Sequence, residues 1–172
     1  MPSVRDIELK VPSTETVNFV KKKACQKLGI EFHLTSILHD GRRIADNRRI
    51  GSLKLSQRPL TLDYLWARHL ILWGADGQKK LREATVLVAG AGAIGNEVAK
   101  NLAMLGVGRL LIIDNDVVEL SNTSRMIFFG RKNQGLNKAQ VLAQGIISKF
   151  PYVDAAAWTG ALEDLPLEHV LS

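Results

Sequence analysis

The chain is almost free of cysteine, because Cys25 is the only one among its 172 residues. A single thiol excludes an intrachain disulfide, and it also excludes the paired CxxC ligands of a structural zinc site. Cys25 lies in an apolar-rich helical stretch, so we interpret it as a small packing residue rather than a nucleophile. No metal-ligand set is found in the sequence.

Long hydrophobic runs are also absent, since Lys, Arg, Asp or Glu interrupts every candidate for a membrane span. The first residues, MPSVRDIELKVPS, lack the apolar centre of a signal peptide. With 46% of its residues apolar the chain can still bury a core, and its length fits one medium or two small domains. We expect a soluble protein of a reducing cytoplasm with no membrane partner.

Negative charge is scarce in the first part of the chain. Residues 1–67 hold 12 Lys and Arg against 7 Asp and Glu, a net charge of +5 out of the total of +6. Clusters such as Lys21–Lys23 could form a nucleic-acid surface, but aromatic residues are not interleaved with them. We therefore favour a solvated basic face and no nucleic-acid partner, and docking of an acidic protein remains open.

The first segment has the pattern of a small α+β domain. Apolar and charged residues alternate over residues 7–11, which predicts a short strand. Thr14 or Thr16 can cap a helix with an apolar stripe, and Gly29 is placed to end it. The apolar piece at residues 35–39, a turn at Asp40 and Gly41, and a late strand at residues 60–65 complete the pattern.

This segment resembles ubiquitin and its relatives, which have the β-grasp fold, over residues 4–65. The residues that carry the resemblance are IELKVPSTETVNFVKKKACQKLGI and ILHDGRRIADNRRIGSLKLSQRPLTLDYL. The match begins at the family's second strand, so the family's first strand is not matched and one edge of the sheet lacks its neighbour. We expect the other domain, another chain or preceding residues to cover this edge. No free Gly-Gly end follows, because the chain continues into Trp66. The resemblance therefore implies a recognition module rather than a conjugated modifier.

The second segment has the pattern of an α/β domain. Residues 85–89 and 109–114 are buried strands by pattern, with a helix over residues 96–105 between them. A unit of about thirty residues of this kind predicts parallel strands joined by a right-handed crossover. A helix over residues 138–150 and a strand from Ala155 extend the unit. The expected fold is an incomplete doubly wound, Rossmann-like parallel sheet.

Three glycines follow the first of these strands, in the sequence VLVAGAGAIG. Gly90 allows a tight turn, Gly92 lets a phosphate approach the backbone, and Gly95 lets the helix pack closely. Asp114 follows Gly92 by 22 residues, at the end of the second strand, where a carboxylate can bond ribose hydroxyls. By itself this pattern predicts NAD binding, and the alternative is a tight turn without a ligand.

The residues after Asp114 argue against a dinucleotide. Another carboxylate, an amide and two cations follow: Asp116, Asn122, Arg125 and Lys138. A triphosphate carries more charge than one pyrophosphate and needs Arg, Lys and usually Mg²⁺. Two purely structural alternatives remain open, in which Arg125 pairs with Asp116 or Glu119 and Lys138 is a solvated first-turn residue.

From residue 64 to about residue 160 the chain resembles the ATP-binding half of the E1 superfamily, which includes ubiquitin-activating enzymes and the bacterial MoeB and ThiF adenylyltransferases. The resemblance is carried by RHLILWG, GQKKL, GAGAIG, GVGRLLIID, Asp116, SNxxR and GxxK. It implies that Asp114 binds the ribose of ATP and that Asn122, Arg125 and Lys138 hold the triphosphate. Arg68 matches the arginine that reaches the phosphates of a neighbouring subunit, which implies a homodimer or a heterodimer with an E1-like half.

The implied reaction is adenylation of the C-terminal carboxylate of a ubiquitin-like or sulfur-carrier protein, with ATP and Mg²⁺. We place the ubiquitin-like domain at residues 1–66 and the first half of the adenylation domain at residues 67–172. Met126 departs from the usual amide after the arginine, and no match to the family's Mg²⁺-binding Asp or catalytic Cys is found. A non-catalytic scaffold and an NAD-dependent oxidoreductase are the alternatives. The second leaves Arg68, Asn122, Arg125 and Lys138 unexplained.

Overall fold

The computed structural model describes residues 7–53, 55 and 59–166, and the chain divides into two compact units, Met1–Asp76 and Gly77–Ser172. Among the described residues, each unit contains one three-stranded sheet. Helix α2 (Ala67–Glu83) runs across the division and is interrupted by non-helical backbone at Gly74. The domain boundary after residue 66 therefore stays a prediction.

The first unit opens with helix α1 (Val17–Leu28), as the sequence predicts. Thr16, rather than Thr14, is its N-cap, and the Thr16 hydroxyl accepts a hydrogen bond from the Phe19 N–H at 3.4 Å. Gly29 ends the helix with a φ of 67°, a left-handed conformation that glycine adopts without a steric penalty.

The sheet of the first unit is antiparallel, in the order β2-β1-β3. Its strands are β1 (Thr35–His39), β2 (Arg42–Arg43) and β3 (Thr61–Tyr64). Asp40 and Gly41 form the predicted turn, both with positive φ. One face of α1 packs with the sheet into a core of Val17, Val20, Ile37, Ile44 and Ile50. The predicted α+β, ubiquitin-like architecture is confirmed.

One predicted strand is wrong. Residues 7–11 are not part of a sheet in the described structure, although Leu9 and Val11 pack against the core and Glu8 and Lys10 are exposed. The alternation of the sequence is therefore preserved in the burial of the side chains. A strand also needs a neighbour to share its backbone hydrogen bonds, and among the described residues this segment has none.

The second unit is a parallel sheet, as predicted, and its strands lie in the order β4-β5-β6. The strands are β4 (Thr85–Ala89), β5 (Arg109–Ile113) and β6 (Asp154–Trp158). Helices α3 (Ala93–Leu105) and α4 (Lys138–Lys149) join them. The predicted start of α3 at residue 96 is wrong by three residues, because Gly95 is already helical and lies inside the first turn.

The core of the second unit lies between the sheet and its two helices. Leu110 and Ile112 of the central strand and Leu142 and Ile146 of α4 are completely buried. The carboxyl ends of the three strands meet at one edge of this sheet, and the glycine loop and Asp114 leave the sheet there. No helix in the described part of the chain is long and apolar enough to cross a membrane.

Three acidic residues near the end of the chain, Glu163, Asp164 and Glu168, have the pattern of an exposed helix start. Glu163 and Asp164 are exposed, but they lie in a single 3₁₀ turn, Leu162–Asp164, rather than in an α-helix. Glu168 lies outside the described residues.

Candidate nucleotide-binding site

The glycine loop connects β4 to α3, and each of its three glycines suits its position for a different geometric reason. Gly90 has a φ of +94°, where a side chain would be strained. A Cβ on Gly92 would meet nothing within 4 Å, so the space beside it is open. A Cβ on Gly95 would lie 1.9 Å from the Gly90 carbonyl oxygen, so only glycine allows this approach. The loop thus has the steric properties that phosphate binding requires.

The N-terminus of α3 points its backbone donors at the same place. Gly92 is the N-cap and supplies no side-chain hydrogen bond. The first N–H groups of a helix have no partner within the helix, and they carry a partial positive charge. An uncapped helix start beside an open glycine is a suitable site for a phosphate group.

Asp114 ties this loop to the end of β5. One carboxylate oxygen accepts a hydrogen bond from the Ala91 N–H at 2.6 Å, and the other accepts from the Asp116 N–H at 2.8 Å. Gly90 donates its own N–H to the Ile113 carbonyl at 2.7 Å. A carboxylate has about four lone-pair sites, so two ribose hydroxyls can still donate to it.

Lys138 and Asp116 form an ion pair beside Asp114, with 2.8 Å between the ammonium nitrogen and a carboxylate oxygen. The Lys138 side chain is only 14% exposed, so the alternative of a freely solvated lysine does not hold. The Asp116 side chain is 67% exposed, so solvent or a ligand can reach the carboxylate end of the pair. The two predicted residues are therefore brought together.

Asn137, which the sequence reasoning missed, holds this arrangement in place. Its side-chain amide donates to the Asp114 carbonyl at 2.8 Å and to the Asp116 carbonyl at 3.2 Å. Its side-chain oxygen caps α4 by accepting from the Gln140 N–H. An asparagine directly before a helix is the usual N-cap signal, and this signal could have identified it.

Arg125 is exposed, and its guanidinium donates to the Ser121 carbonyl at 3.1 Å. Among the described residues it makes no ion pair with Asp116 or Glu119, so that structural alternative does not hold. A guanidinium has five N–H donors, and one bond to a carbonyl leaves most of them for an anion. Its predicted contact with the triphosphate stays a prediction.

Asn122 is buried, with 4% of its surface exposed. Its side-chain oxygen accepts from the Glu119 N–H at 3.0 Å, and its amide donates to the Ser121 hydroxyl at 3.4 Å. These bonds shape the 3₁₀ turn Leu120–Ser124 that precedes Arg125. The phosphate contact expected for Asn122 stays a prediction, and the observed geometry gives it a local structural role.

The sequence reasoning also missed Asn96, which follows the last glycine and is 0% exposed. Its amide nitrogen donates to the Ala91 carbonyl at 2.9 Å and to the Gly92 carbonyl at 3.2 Å. A polar residue on the inner face of a helix next to a glycine loop was the available signal.

Three further predictions concern residues outside this cluster. Arg68 lies on α2 in the first unit and is exposed, and its role towards a neighbouring subunit stays a prediction. Cys25 is buried with its sulfur 3.4 Å from the Thr35 hydroxyl, as expected of a packing residue. Among the described residues no three His, Cys, Asp or Glu side chains come together as a metal site.

The chain matches two protein families. The ThiF family matches residues 66–172 and the Ubiquitin family matches residues 2–62. The adenylyltransferase and sulfurtransferase MOCS3 of Mus musculus is 40% identical over 108 residues, which is 61% of this chain and 24% of that protein. The chain therefore spans about a quarter of the length of this relative.

Two solved structures are similar to the chain. Escherichia coli MccB with ATP is 28% identical with a TM-score of 0.53, over 59% of this chain and 32% of that one. The E. coli tRNA N6-threonylcarbamoyladenosine dehydratase TcdA with ATP is 31% identical with a TM-score of 0.52, over 56% and 40%. These matches confirm the resemblance to the E1 superfamily. The chain belongs to the ThiF family and carries a ubiquitin-family domain before the matched region.

Proposed function

We propose that this chain is the nucleotide-binding part of an enzyme that uses ATP to adenylate the C-terminal carboxylate of a ubiquitin-like or sulfur-carrier protein. One observation carries the proposal: a continuous series of contacts leads from the glycine loop through Asp114 and Asp116 to Lys138. It places a ribose acceptor and a cation next to an uncapped helix N-terminus. A dinucleotide site needs the loop and the carboxylate but not the cation.

The proposed reaction transfers the adenylyl group of ATP. A carboxylate oxygen of the protein substrate attacks the α-phosphorus, and the bond from that phosphorus to the bridging oxygen breaks. Pyrophosphate leaves with the electron pair, and an acyl adenylate is formed. The chain's own part is to fix the ribose with Asp114 and to neutralise the phosphates with loop N–H groups, Lys138 and Arg125.

The family resemblance also implies Mg²⁺. Among the described residues, no three His, Cys, Asp or Glu side chains come together to hold it.

The relatives support ATP as the nucleotide. The mouse protein is named an adenylyltransferase, and both E. coli proteins have been solved with ATP. We further propose a dimer, either of two copies or with an E1-like half, in which Arg68 of one subunit reaches the phosphates bound by the other. The cytoplasm is the proposed location, where both ATP and reduced Cys25 are expected.

Isotope exchange between ATP and pyrophosphate tests the reaction. With a candidate ubiquitin-like protein and Mg²⁺ present, the full-length enzyme that contains this chain should return labelled pyrophosphate into ATP, because formation of the adenylate is reversible. A candidate shortened by its last two residues is the matched control and should give no exchange. Equal exchange with the shortened protein, or none with any intact candidate, argues against protein adenylation.

Nucleotide binding tests the site separately from the reaction. In calorimetric titrations, ATP should bind the chain, and NAD⁺ should bind at least tenfold more weakly because Lys138 and Arg125 suit a triphosphate. The control is Arg131→Leu, which removes an exposed arginine and should leave the ratio unchanged. Tighter binding of NAD⁺ would favour an oxidoreductase instead.

A further inference from the structure

Asn96 has an unusual environment for a residue next to a proposed phosphate site. Its side chain is completely buried. The amide nitrogen makes two hydrogen bonds to the glycine loop, but the buried side-chain oxygen has no hydrogen-bond partner among the described residues. A buried acceptor without a partner is unfavourable. Leucine has a similar size and would avoid this cost, so the benefit of asparagine lies in what its nitrogen holds.

The two carbonyls that Asn96 holds determine the direction of two N–H groups. In a planar trans peptide the C=O and the following N–H point in opposite directions. A bond from Asn96 to the Ala91 carbonyl therefore turns the Gly92 N–H away from Asn96. The bond to the Gly92 carbonyl does the same for the Ala93 N–H.

The Ala91 carbonyl in particular needs such a partner. It lies before α3 begins, so the hydrogen bonds of the helix do not fix it. The flanking residues Gly90 and Gly92 allow many backbone conformations, which makes the peptide between Ala91 and Gly92 free to rotate unless it is held. On the other side, the Ala91 N–H is held by Asp114 at 2.6 Å.

We propose that Asn96 is a positioning residue for the nucleotide. Its side-chain amide clamps the Ala91 and Gly92 carbonyls, so that the N–H groups of Gly92 and Ala93 face the phosphates of ATP. A Cβ on Gly92 would meet nothing within 4 Å, so there is open space beside these donors for a phosphate. The inference rests on the proposed function for its ligand, whereas the clamp itself is a property of the loop.

Binding of ATP and adenosine to the full chain tests the role of the clamp. Asn96→Leu should weaken ATP binding by about tenfold, which corresponds to ~1.4 kcal/mol, and should leave adenosine binding unchanged because adenosine has no phosphate. Asn101→Leu, an exposed asparagine on the same helix, is the matched control and should bind both like the parent. Equal loss for ATP and adenosine, or no loss, overturns the inference.

A more conservative variant provides a second test if Asn96→Leu does not fold. In Asn96→Ser the hydroxyl can still donate to the carbonyl four residues earlier, which is Gly92, but it does not reach Ala91. ATP affinity should therefore fall below that of the parent by less than about tenfold, and adenosine binding should stay unchanged. ATP affinity equal to that of the parent, or an equal loss of adenosine binding, overturns the inference.

The clamp can also be measured without a nucleotide. The amide ¹H and ¹⁵N chemical shifts of Gly92 and Ala93 should change in Asn96→Leu and Asn96→Ser but not in Asn101→Leu. Unchanged shifts overturn the inference whatever ATP does. Failure of the parent chain to bind ATP overturns the proposed function and the phosphate role of these donors, so the two failures are distinguishable.

Discussion

The Lys138 ammonium nitrogen lies 2.8 Å from a carboxylate oxygen of Asp116, and Lys138 also donates its backbone N–H to the Asp116 carbonyl at 2.9 Å. Lys138 is thus fixed at the start of α4 by a residue that follows Asp114 by two positions. A triphosphate carries more negative charge than one carboxylate. We therefore expect the Lys138 ammonium to turn from Asp116 to the phosphates when ATP binds.

The first prediction concerns this ammonium group. Lys138→Met should weaken ATP binding by about ten- to a hundredfold, since a hydrogen bond to a charged group contributes about 1.5–3 kcal/mol. Calorimetric titration measures the effect. Lys149→Met removes an exposed lysine at the other end of the same helix and should bind ATP like the parent. Equal ATP affinities of the two variants would show that the Lys138 ammonium does not contact the nucleotide.

The second prediction separates two glycines of one loop. Gly95→Ala places a methyl group 1.9 Å from the Gly90 carbonyl oxygen, so the backbone must move. The free energy of unfolding should fall by about 1–3 kcal/mol or more, as for other overpacked sites. A chemical denaturation curve measures this loss, and a stability within 0.5 kcal/mol of the parent would contradict the close approach.

Gly92→Ala is the contrasting variant. A Cβ at Gly92 meets nothing within 4 Å and its φ is −70°, so stability should stay close to that of the parent. ATP affinity should fall because the methyl group occupies the space through which the phosphate approaches. Unchanged ATP binding in a stable Gly92→Ala chain would place the phosphates elsewhere.

The third prediction concerns the Asp114 carboxylate. Asp114→Ala removes the proposed ribose acceptor and also the bond to the Ala91 N–H, so ATP affinity should fall for two reasons. The ratio of affinities separates them: the parent should prefer ATP to 2′,3′-dideoxy-ATP, and Asp114→Ala should bind both equally. The exposed Asp164→Asn should keep the parent's preference. A preference that survives in Asp114→Ala rules out the ribose contact.

The fourth prediction concerns Arg125. Its side chain is exposed and bonds one carbonyl, so Arg125→Leu should leave the midpoint of thermal unfolding within about 2 °C of the parent. ATP binding should weaken and depend less on salt, because one charge–charge contact is lost. Arg131→Leu, also exposed, is the control for surface charge. The same salt dependence in both variants would exclude a phosphate contact by Arg125.

Much of this architecture was predictable because its signals are local. The cap at Thr16, the stop at Gly29 and the turn at Asp40 and Gly41 depend on residues within one turn of the chain. Strands β4 and β5 are apolar runs that end at glycine or aspartate. The burial predicted for both holds for β5 but not for β4, where only Val88 is buried. The parallel direction of β4, β5 and β6 was predictable because a helix connects each strand to the next.

Other features needed partners that are distant in the sequence. The alternation at residues 7–11 is that of a strand, but a strand forms only where a neighbouring backbone completes its hydrogen bonds. The early start of α3 depends on the close contact between Gly95 and Gly90, which sequence periodicity does not reveal.

The amino-acid sequence by itself determined the two families, most of the helices and strands, and the residue types that suit a nucleotide. Tertiary structure decided how those residues are used. Asp116 pairs with Lys138 across 22 positions, Asn122 turns inward to shape its own turn, and Asn96 and Asn137 fasten the loop and the strand end. The physical reason is that hydrogen bonds between distant residues depend on how the sheet brings strand ends together, whereas helix caps and turns depend on neighbours only.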